Sequence, residues 1–509
     1  MLAKYKHFIY PAGLVVLALS VFIYIFDAKI DINGDNCYYY AFATSLASGE
    51  GYCDVSGEVS SLFPPGYPML MAPLRLITDS VVAQKVLNLS FLLASVLLLY
   101  YLLLAEGARR AVAFFACAAV LVTAHVLEFS TMMMSEPSCI FFVVLSLFAY
   151  AKLPVGGAVP WRSPWLYVLL FAVPYAFLIR TQAVVLFVAF MAVLLLSRRF
   201  KLALLLLAAF ALCYAPWALR NSLLELGQSR YVSQIDFSNV WGNVGMLLVQ
   251  ALPESVIPFF AVNYAARPTT LLWVIATAML AITIYGMWKM EKTGRLLMLL
   301  LVGNVGIVSI MNTPSLYRYT VIVLPVITVA FVTGLWRLLN ALLQHMLKRS
   351  FSPLFLLLLF VPLIFKAGDT SKHSIYGLNA ISKSAYPATL VRFIEAGKAA
   401  SKRGDAQVVV SRKPELLYAH SGVKGKRYKE GRDNIQILCD LLNANADYVV
   451  LDNLGYKYTY EVLYPFLQDH MYLFEVVHST AQPTTILFRF KKAEARRWLA
   501  RGGYFVEQQ

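Results

Sequence analysis

The feature that most constrains the fold is a series of apolar segments that recurs from residue 8 to residue 365. A segment of about 20 apolar residues is long enough to cross the hydrocarbon core of a bilayer as a helix. The composition agrees, because 59% of the 509 residues are hydrophobic and only 14% are charged. The chain is therefore predicted to be a mostly α-helical, polytopic membrane protein.

Lys and Arg cluster in short segments beside the apolar runs, as they do in the cytoplasmic loops of membrane proteins. Lys4 and Lys6 precede the first run, which predicts a cytoplasmic N-terminus. Topology thus accounts for the net charge of +16, and no nucleic-acid partner is expected. The predicted spans, about eleven, lie near residues 8–26, 80–105, 111–127, 137–151, two short segments on either side of Arg180, 202–219, 270–288, 296–311, 321–342 and 351–365.

Three further regions are predicted from composition. Residues 27–79 form a first extracytoplasmic loop, and residues 222–268 form amphipathic helices that lie along the outer surface. After a transmembrane domain of residues 1–366, residues 367–509 form a small extracytoplasmic α/β domain. In it, residues 408–412 and 447–452 are compact β-branched runs, as buried parallel strands are, and helices are predicted at 388–401 and 434–443.

The first loop is acidic. Residues 27–68 contain a single basic residue, Lys29, and six acidic ones, which are Asp27, Asp31, Asp35, Glu50, Asp54 and Glu58. The loop also contains Cys37 and Cys53. The sequence is compatible with a disulfide between them and with two separate thiols.

Four arginines lie on the predicted outer side: Arg180, Arg220, Arg267 and Arg318. An arginine at the end of a span can extend to the lipid headgroups, and a guanidinium can instead bind a phosphate through its planar fork. Arg318, between Tyr317 and Tyr319, is the preferred phosphate ligand because it stands at a membrane boundary, and Arg220 is the second.

Carboxylates and arginines on one side of a membrane suggest transfer from a phosphate-linked donor. The attacking hydroxyl or amine must lose a proton, which calls for a carboxylate as general base. The departing phosphate needs its charge stabilised by Arg, Lys or a metal ion. His125 and Glu128, with Glu136 or Asp35, are candidate ligands of a divalent ion; a lone interfacial His is the alternative interpretation.

Six short motifs resemble, in this order, those of the GT-C glycosyltransferases. They are N-G-D-N-C-Y-Y-Y with F-P-P-G-Y-P in the first loop, M-S-E-P at 134–137, I-R-T-Q at 179–182, P-W-A-L-R-N at 216–221 and Y-R-Y at 317–319. The superfamily includes protein O-mannosyltransferases and lipid A aminoarabinose transferases, and the chain looks most like bacterial members of the family 39-like type. The resemblance covers about residues 10–365, and K-P-E-L-L-Y with A-D-Y-V-V-L-D resembles the extracytoplasmic domain that often follows.

This resemblance implies a GT-C fold and an inverting transfer of a sugar from a polyprenyl-phosphate donor to a glycan, lipid or protein acceptor outside the membrane. Asp35 matches the catalytic Asp, and Glu136 matches the acidic residue of the S-E-P motif. Many relatives have an acidic pair where this chain has Asp35 followed by Asn36, so Asp31, Glu50 or Glu136 is expected to assist. Arg318, Arg220 and Tyr319 are the expected donor-phosphate ligands.

A secondary transporter or lipid flippase is the alternative function. It predicts ionisable residues at mid-membrane depth and paired internal repeats. In this sequence the charged residues collect at the boundaries of the spans, and no long repeat is evident.

Overall fold

The computed structural model describes residues 2–31, 35–154, 159–226, 234–256, 269–312, 316–348, 352–356, 358, 361, 386–404, 408–428 and 433–501. The chain divides into two compact units. The first unit comprises Met1–Asp27, Ser61–Leu70 and Ser80–Ile375, and the second comprises Ala28–Ser60, Met71–Asp79 and Tyr376–Gln509. This division differs from the predicted boundary after residue 366, because most of the first loop belongs with the C-terminal region.

Helices dominate the chain as far as residue 347. In chain order they are α1 (Leu2–Ile25), α2 (Asn36–Ala47), α3 (Gly66–Arg75), α4 (Val81–Ala105), α5 (Arg110–Leu121), α6 (Ala124–Ser130), α7 (Glu136–Lys152), α8 (Pro164–Ile179), α9 (Val184–Leu196), α10 (Phe200–Leu223), α11 (Val240–Gly245), α12 (Leu252–Val256), α13 (Thr270–Trp288), α14 (Gly294–Ser309), α15 (Leu316–Thr320) and α16 (Leu324–Leu347). A π-helix, Met246–Ala251, joins α11 to α12.

Five helices are long and apolar enough to cross a membrane: Phe8–Ile25, Val81–Ala105, Phe200–Leu223, Thr270–Trp288 and Leu324–Met346. Shorter apolar helices lie between them, including α5, α8 and α14. The prediction of a multi-pass, mostly α-helical membrane protein is confirmed. The predicted break near Arg180 is present, since α8 ends at Ile179 and Arg180 has an extended backbone before the 3-10 turn Thr181–Ala183. Most of the predicted span 351–365 lies outside the described residues.

The predicted interfacial region is helical where the structure describes it. Residues 240–256 form α11, the π-helix and α12, while residues 227–233 and 257–268, with Arg267, lie outside the description. Trp241 is 85% exposed on α11. Asn243 is buried, and its amide donates to the carbonyls of Ser309 and Met311 after α14.

A glycine allows α3 to approach the end of α8 closely. A Cβ on Gly66 would lie 2.6 Å from the carbonyl carbon of Leu178 and 2.7 Å from the nitrogen of Ile179. The hydroxyl of Tyr175 donates a hydrogen bond to the carbonyl of Gly66 at 3.0 Å. This contact fixes the part of α8 that immediately precedes Arg180.

The second unit is built around a five-stranded sheet. Its strands are β1 (Val408–Ser411), β2 (Gly425–Arg427), β3 (Ala446–Leu451), β4 (Phe474–Thr480) and β5 (Thr485–Phe490), in the order β2-β1-β3-β5-β4. The pairs β1–β2 and β1–β3 are parallel, whereas β3–β5 and β5–β4 are antiparallel. The helices of this region are α17 (Ala388–Ser401), α18 (Pro414–Ser421), α19 (Asn434–Asn443), α20 (Tyr464–Asp469) and α21 (Lys492–Arg501). The α/β prediction, with parallel strands at both predicted runs, is confirmed.

The first loop is bonded to this sheet and its flanking segments. The backbone nitrogen of Gly425, at the start of β2, donates to the carbonyl of Val55 at 2.9 Å. Lys426 Nζ lies 2.5 Å from Glu58 Oε1. The nitrogen of Ile30 donates to the hydroxyl of Tyr386 at 2.8 Å. Residues 28–60 are therefore a structural part of the C-terminal unit.

Within the loop, Cys37 and Cys53 are both buried. The Sγ of Cys53 donates a hydrogen bond to the carbonyl of Glu50 at 3.4 Å. Because a sulfur that donates a hydrogen bond is a thiol, the structure supports separate thiols and not a disulfide.

We expect Gly66→Ala to destabilise the protein by about 1–3 kcal/mol, because the added methyl would overlap the backbone of Leu178 and Ile179. The midpoint of thermal unfolding of the purified protein in detergent measures this. Gly306→Ala in α14 is the matched control, since nothing lies within 4 Å of its Cβ position. An equal effect of both substitutions would contradict the proposed close approach.

Candidate functional site

The first unit contains a buried ionic cluster around Glu136. Its Oε1 lies 2.7 Å from Arg180 Nη1 and 2.7 Å from Arg318 Nε. Glu136 is fully buried, the side chain of Arg180 is 2% exposed and that of Arg318 is 19% exposed. Arg318 is thus the member of the cluster that a ligand can reach from solvent.

Local structure holds the carboxylate in place. Glu136 is the first residue of α7, where the helix dipole favours a negative charge. Asn88 on α4 donates through Nδ2 to the carbonyls of Met132 and Met134 at 2.6 and 2.9 Å, which fixes the segment that leads into α7. The hydroxyl of Ser135 accepts a hydrogen bond from Arg180 Nη1 at 3.0 Å.

Hydrogen bonds to the backbone of Tyr319 hold the segment that contains Arg318. The carbonyl of Tyr319 accepts bonds from Gln182 Nε2 and, at 3.4 Å, from Asn304 Nδ2. Its ring faces the guanidinium of Arg180 at 5.7 Å, and its hydroxyl donates to Gln234 Oε1 at 3.4 Å. Tyr319 therefore joins three segments of the first unit next to the cluster.

One carboxylate oxygen bonds to both guanidiniums of this cluster. The two positive charges favour the ionised form of Glu136. A carboxylate that is bonded in this way fixes the orientation of both arginines. The partly exposed side chain of Arg318 therefore presents its positive charge in a fixed position.

Arg220 lies elsewhere in the first unit, at the C-terminal end of α10. Its Nη1 donates to Oδ1 of its neighbour Asn221 at 2.7 Å, and its guanidinium lies 4.7 Å from the ring of Trp217. The guanidinium that accompanies Arg318 on Glu136 is that of Arg180. The sequence had identified Arg180 as an outer arginine without selecting it as a phosphate ligand.

Asp35 belongs to the second unit, where it immediately precedes α2 and is half-buried. The helix is held by Arg75, whose Nε donates to Thr44 Oγ1 at 3.1 Å and whose guanidinium lies 4.1 Å from the ring of Tyr40. Burial is the main cause that raises the pKa of Tyr38, and the negative charge of Glu415 adds to it. Asp35 therefore stands at the start of a helix that is packed into the second unit.

The structure separates the proposed assisting acids. Asp31 is buried, with 3% exposure, four residues before Asp35. Glu50 is exposed and follows the other end of α2, a twelve-residue helix whose length is about 18 Å. Glu50 is thus too far from Asp35 to share a proton with it, whereas Asp31 stays a predicted candidate. Glu136 belongs to the first unit and is paired as described above.

Two of the predicted metal ligands, His125 and Glu128, lie next to each other. His125 Nδ1 lies 3.5 Å from Glu128 Oε2, so this pair is present. Among the residues that the structure describes, however, no group of three or more His, Cys, Asp or Glu side chains is arranged to hold a metal ion. A divalent metal ion therefore stays a prediction, with the His125–Glu128 pair as its candidate ligands.

The fold and the buried ionic cluster define a multi-pass membrane protein with a helical unit and an α/β unit. The sequence matches no protein-family model and no curated protein.

Solved structures of similar fold are known. ArnT from Cupriavidus metallidurans, in the apo state and bound to undecaprenyl phosphate, aligns with a TM-score of 0.59 and 12% identity over 94% of this chain and 97% of that chain. The archaeal oligosaccharyltransferase AglB from Archaeoglobus fulgidus, in complex with an inhibitory peptide and a dolichol-phosphate, aligns with a TM-score of 0.56 and 12% identity over 88% of this chain and 69% of that chain. This chain therefore shares the fold of these solved structures, and the predicted fold class, a helical membrane protein with a small α/β region, is confirmed.

We expect Glu136→Gln to destabilise the first unit by about 3–5 kcal/mol, because it leaves two guanidiniums without the buried charge that neutralises them. Thermal unfolding in detergent measures the loss. Glu128→Gln is the matched control, since Glu128 pairs with a single His at 3.5 Å and should change stability far less. Comparable losses for both variants would show that the ionic cluster has no special role in stability.

Proposed function

We propose that the protein is an inverting glycosyltransferase that moves a sugar from a polyprenyl-phosphate donor to an acceptor on the outer side of the bacterial cytoplasmic membrane. The observation that supports this most directly is the buried cluster in which Glu136 holds both Arg180 and the partly exposed Arg318. The fold adds support, because ArnT and AglB have been solved with undecaprenyl phosphate and a dolichol-phosphate respectively.

Arg318 is the proposed donor-phosphate ligand. Its Nε is held by Glu136, and its side chain is more exposed than that of Arg180, so it can meet a phosphate while the carboxylate fixes its position. A guanidinium offers further N–H donors in a planar fork that matches phosphate oxygens. Arg180, which is more deeply buried, adds positive charge beside Arg318. Arg220 and Tyr319 stay predicted as further contacts to the donor phosphate.

Asp35 is the proposed general base. An acceptor hydroxyl or amine becomes a competent nucleophile as its proton passes to a carboxylate within hydrogen-bond reach. Attack on the anomeric carbon from the face opposite the phosphate forms the new glycosidic bond as the bond to the phosphate oxygen breaks, which inverts the configuration. The electron pair leaves with the phosphate, whose charge Arg318 stabilises.

We expect Asp35→Asn to lower the transfer rate by roughly a hundredfold or more, because the amide cannot accept the acceptor's proton. Transfer of radiolabelled sugar from a polyprenyl-phosphate donor in membranes measures the rate. Asp79→Asn is the control, since this carboxylate is 87% exposed and pairs with Arg75 on the surface. Full activity of the Asp35→Asn variant would exclude Asp35 as the base, and a protein that moves lipid or solute without transfer would favour the transporter alternative.

We expect Arg318→Ala to weaken binding of undecaprenyl phosphate by roughly tenfold to a hundredfold, because one charge-assisted contact to the phosphate is lost. Quenching of tryptophan fluorescence in detergent measures binding. Arg162→Ala, at an exposed position, is the matched control. The conservative variant Arg318→Lys should recover part of the affinity through its charge, and unchanged affinity in both variants would refute this role.

A further inference from the structure

The carboxyl edge of the parallel strands in the second unit gathers polar residues that the proposed transfer does not use. Strand β1 ends at Ser411, β2 ends at Arg427, and Asp452 directly follows β3. Because β2 and β3 lie on opposite sides of β1, the chain order reverses at this strand. In open α/β sheets such a reversal is where ligands bind, outside the carboxyl ends of the strands.

Cationic and aromatic side chains form a continuous surface at this edge. The guanidinium of Arg412 lies 5.6 Å from the ring of Tyr456 and 5.1 Å from that of Tyr458. Lys413 Nζ lies 5.5 Å from the ring of Tyr456 and 3.4 Å from Glu415 Oε1. The same Glu415 oxygen lies 3.1 Å from Arg427 Nη2.

Three acceptor-bearing side chains at this edge are nearly fully buried: Ser411 at 0%, Glu415 at 3% and Asp452 at 3% exposure. Among the residues that the structure describes, none forms a hydrogen bond with Ser411 Oγ, Glu415 Oε2 or Asp452 Oδ2. Burial raises the pKa of Asp452 to about 6, and the nearby Arg412 opposes this shift. Buried acceptors of this kind call for a donor.

The unmet groups favour a ligand that donates hydrogen bonds. The hydroxyls of a saccharide supply such donors, and the apolar face of a sugar ring can pack against tyrosine. Phosphate would be attracted by the cations Arg412, Lys413 and Arg427, but its charged oxygens are acceptors and cannot donate to the buried carboxylate oxygens. The three oxygens are closed to solvent, so the half-buried side chains of Arg412 and Lys413 must shift to admit a hydroxyl.

We propose that the carboxyl edge of β1, β2 and β3 is a saccharide-binding site. The position of this site beside the first loop suggests which saccharide it binds. Both Glu415 and Asp35 act electrostatically on Tyr38 of α2, so the edge and the proposed base flank the same side chain. If the proposed function holds, the saccharide bound here is part of the acceptor, which would then be a glycan.

Saturation-transfer NMR tests this on the full-length protein in lipid nanodiscs, which avoids detergents with sugar headgroups. The probes are methyl α-D-mannopyranoside, methyl β-D-galactopyranoside and methyl N-acetyl-β-D-glucosaminide, each alone and without a donor. Asp452→Ala removes a proposed hydroxyl acceptor, and Tyr456→Ala removes a proposed ring contact. The matched controls are Asp447→Ala, which lies at the opposite end of β3 and pairs with Lys492 Nζ at 2.6 Å, and Tyr472→Ala, which is 51% exposed outside this edge.

We expect at least one glycoside to bind the native protein, and roughly tenfold weaker binding in the Asp452→Ala and Tyr456→Ala variants but not in the controls. Inorganic phosphate should not displace the glycoside. Absence of binding by all three probes, equal binding in all variants, or displacement by phosphate would overturn the proposal. The assay contains no sugar donor, so it measures binding and not transfer. If glycoside binding persists in an Asp35→Asn variant that has lost transfer, the binding site is distinguished from the proposed function.

Discussion

The first unit depends on one ionic arrangement, in which a fully buried carboxylate binds two guanidiniums. A buried charge is tolerated only when it is paired and hydrogen-bonded, so the segments that contribute Glu136, Arg180 and Arg318 must meet in one geometry. The nearby contacts serve the same arrangement, since Asn88 fixes the segment before α7 and Gly66 lets α3 reach the end of α8. The cluster thus links the order of these segments to the position of Arg318, the proposed phosphate ligand.

The second unit includes most of the first loop as part of its structure. The helix that follows Asp35 and the hairpin around Val55 are both held by residues of this unit. Its sheet is parallel on the side of β2 and β1 and antiparallel on the side of β5 and β4. The polar residues of the parallel half lie at the carboxyl ends of its strands, which places that chemistry near α2.

Much of the fold could be predicted from the sequence because membrane spans and buried strands leave strong local patterns. The periods and lengths of the apolar runs located α1, α4 and α13 closely, and the β-branched runs located β1 and β3. Strands β4 and β5 were not predicted, since their alternating polar residues, such as Glu475 and Arg489, carry a weaker signal. The assignment of residues 28–60 to the C-terminal unit depends on distant contacts that no local pattern reveals.

For the candidate site, the sequence indicated which residues are important but not which residues they contact. It singled out Arg318 and Glu136 separately, whereas their shared hydrogen bond and the role of Arg180 required the structure. The interruption of the apolar runs at I-R-T-Q was the available signal, because an arginine between two apolar helices needs an anionic partner. The distance between Asp35 and Glu50 also required the structure, because the helix α2 separates two residues that lie in one loop of the sequence.

The way the first loop joins the second unit bears on how the protein is made. Glu58 and Lys426 are 368 positions apart in sequence, yet they form one ion pair, and Ile30 and Tyr386 are similarly distant. During synthesis the loop emerges long before its partner residues are made. It therefore lacks these contacts while most of the helices are inserted. The loop that contains the proposed base can therefore form these contacts only after residues 386 and 426 have been synthesised.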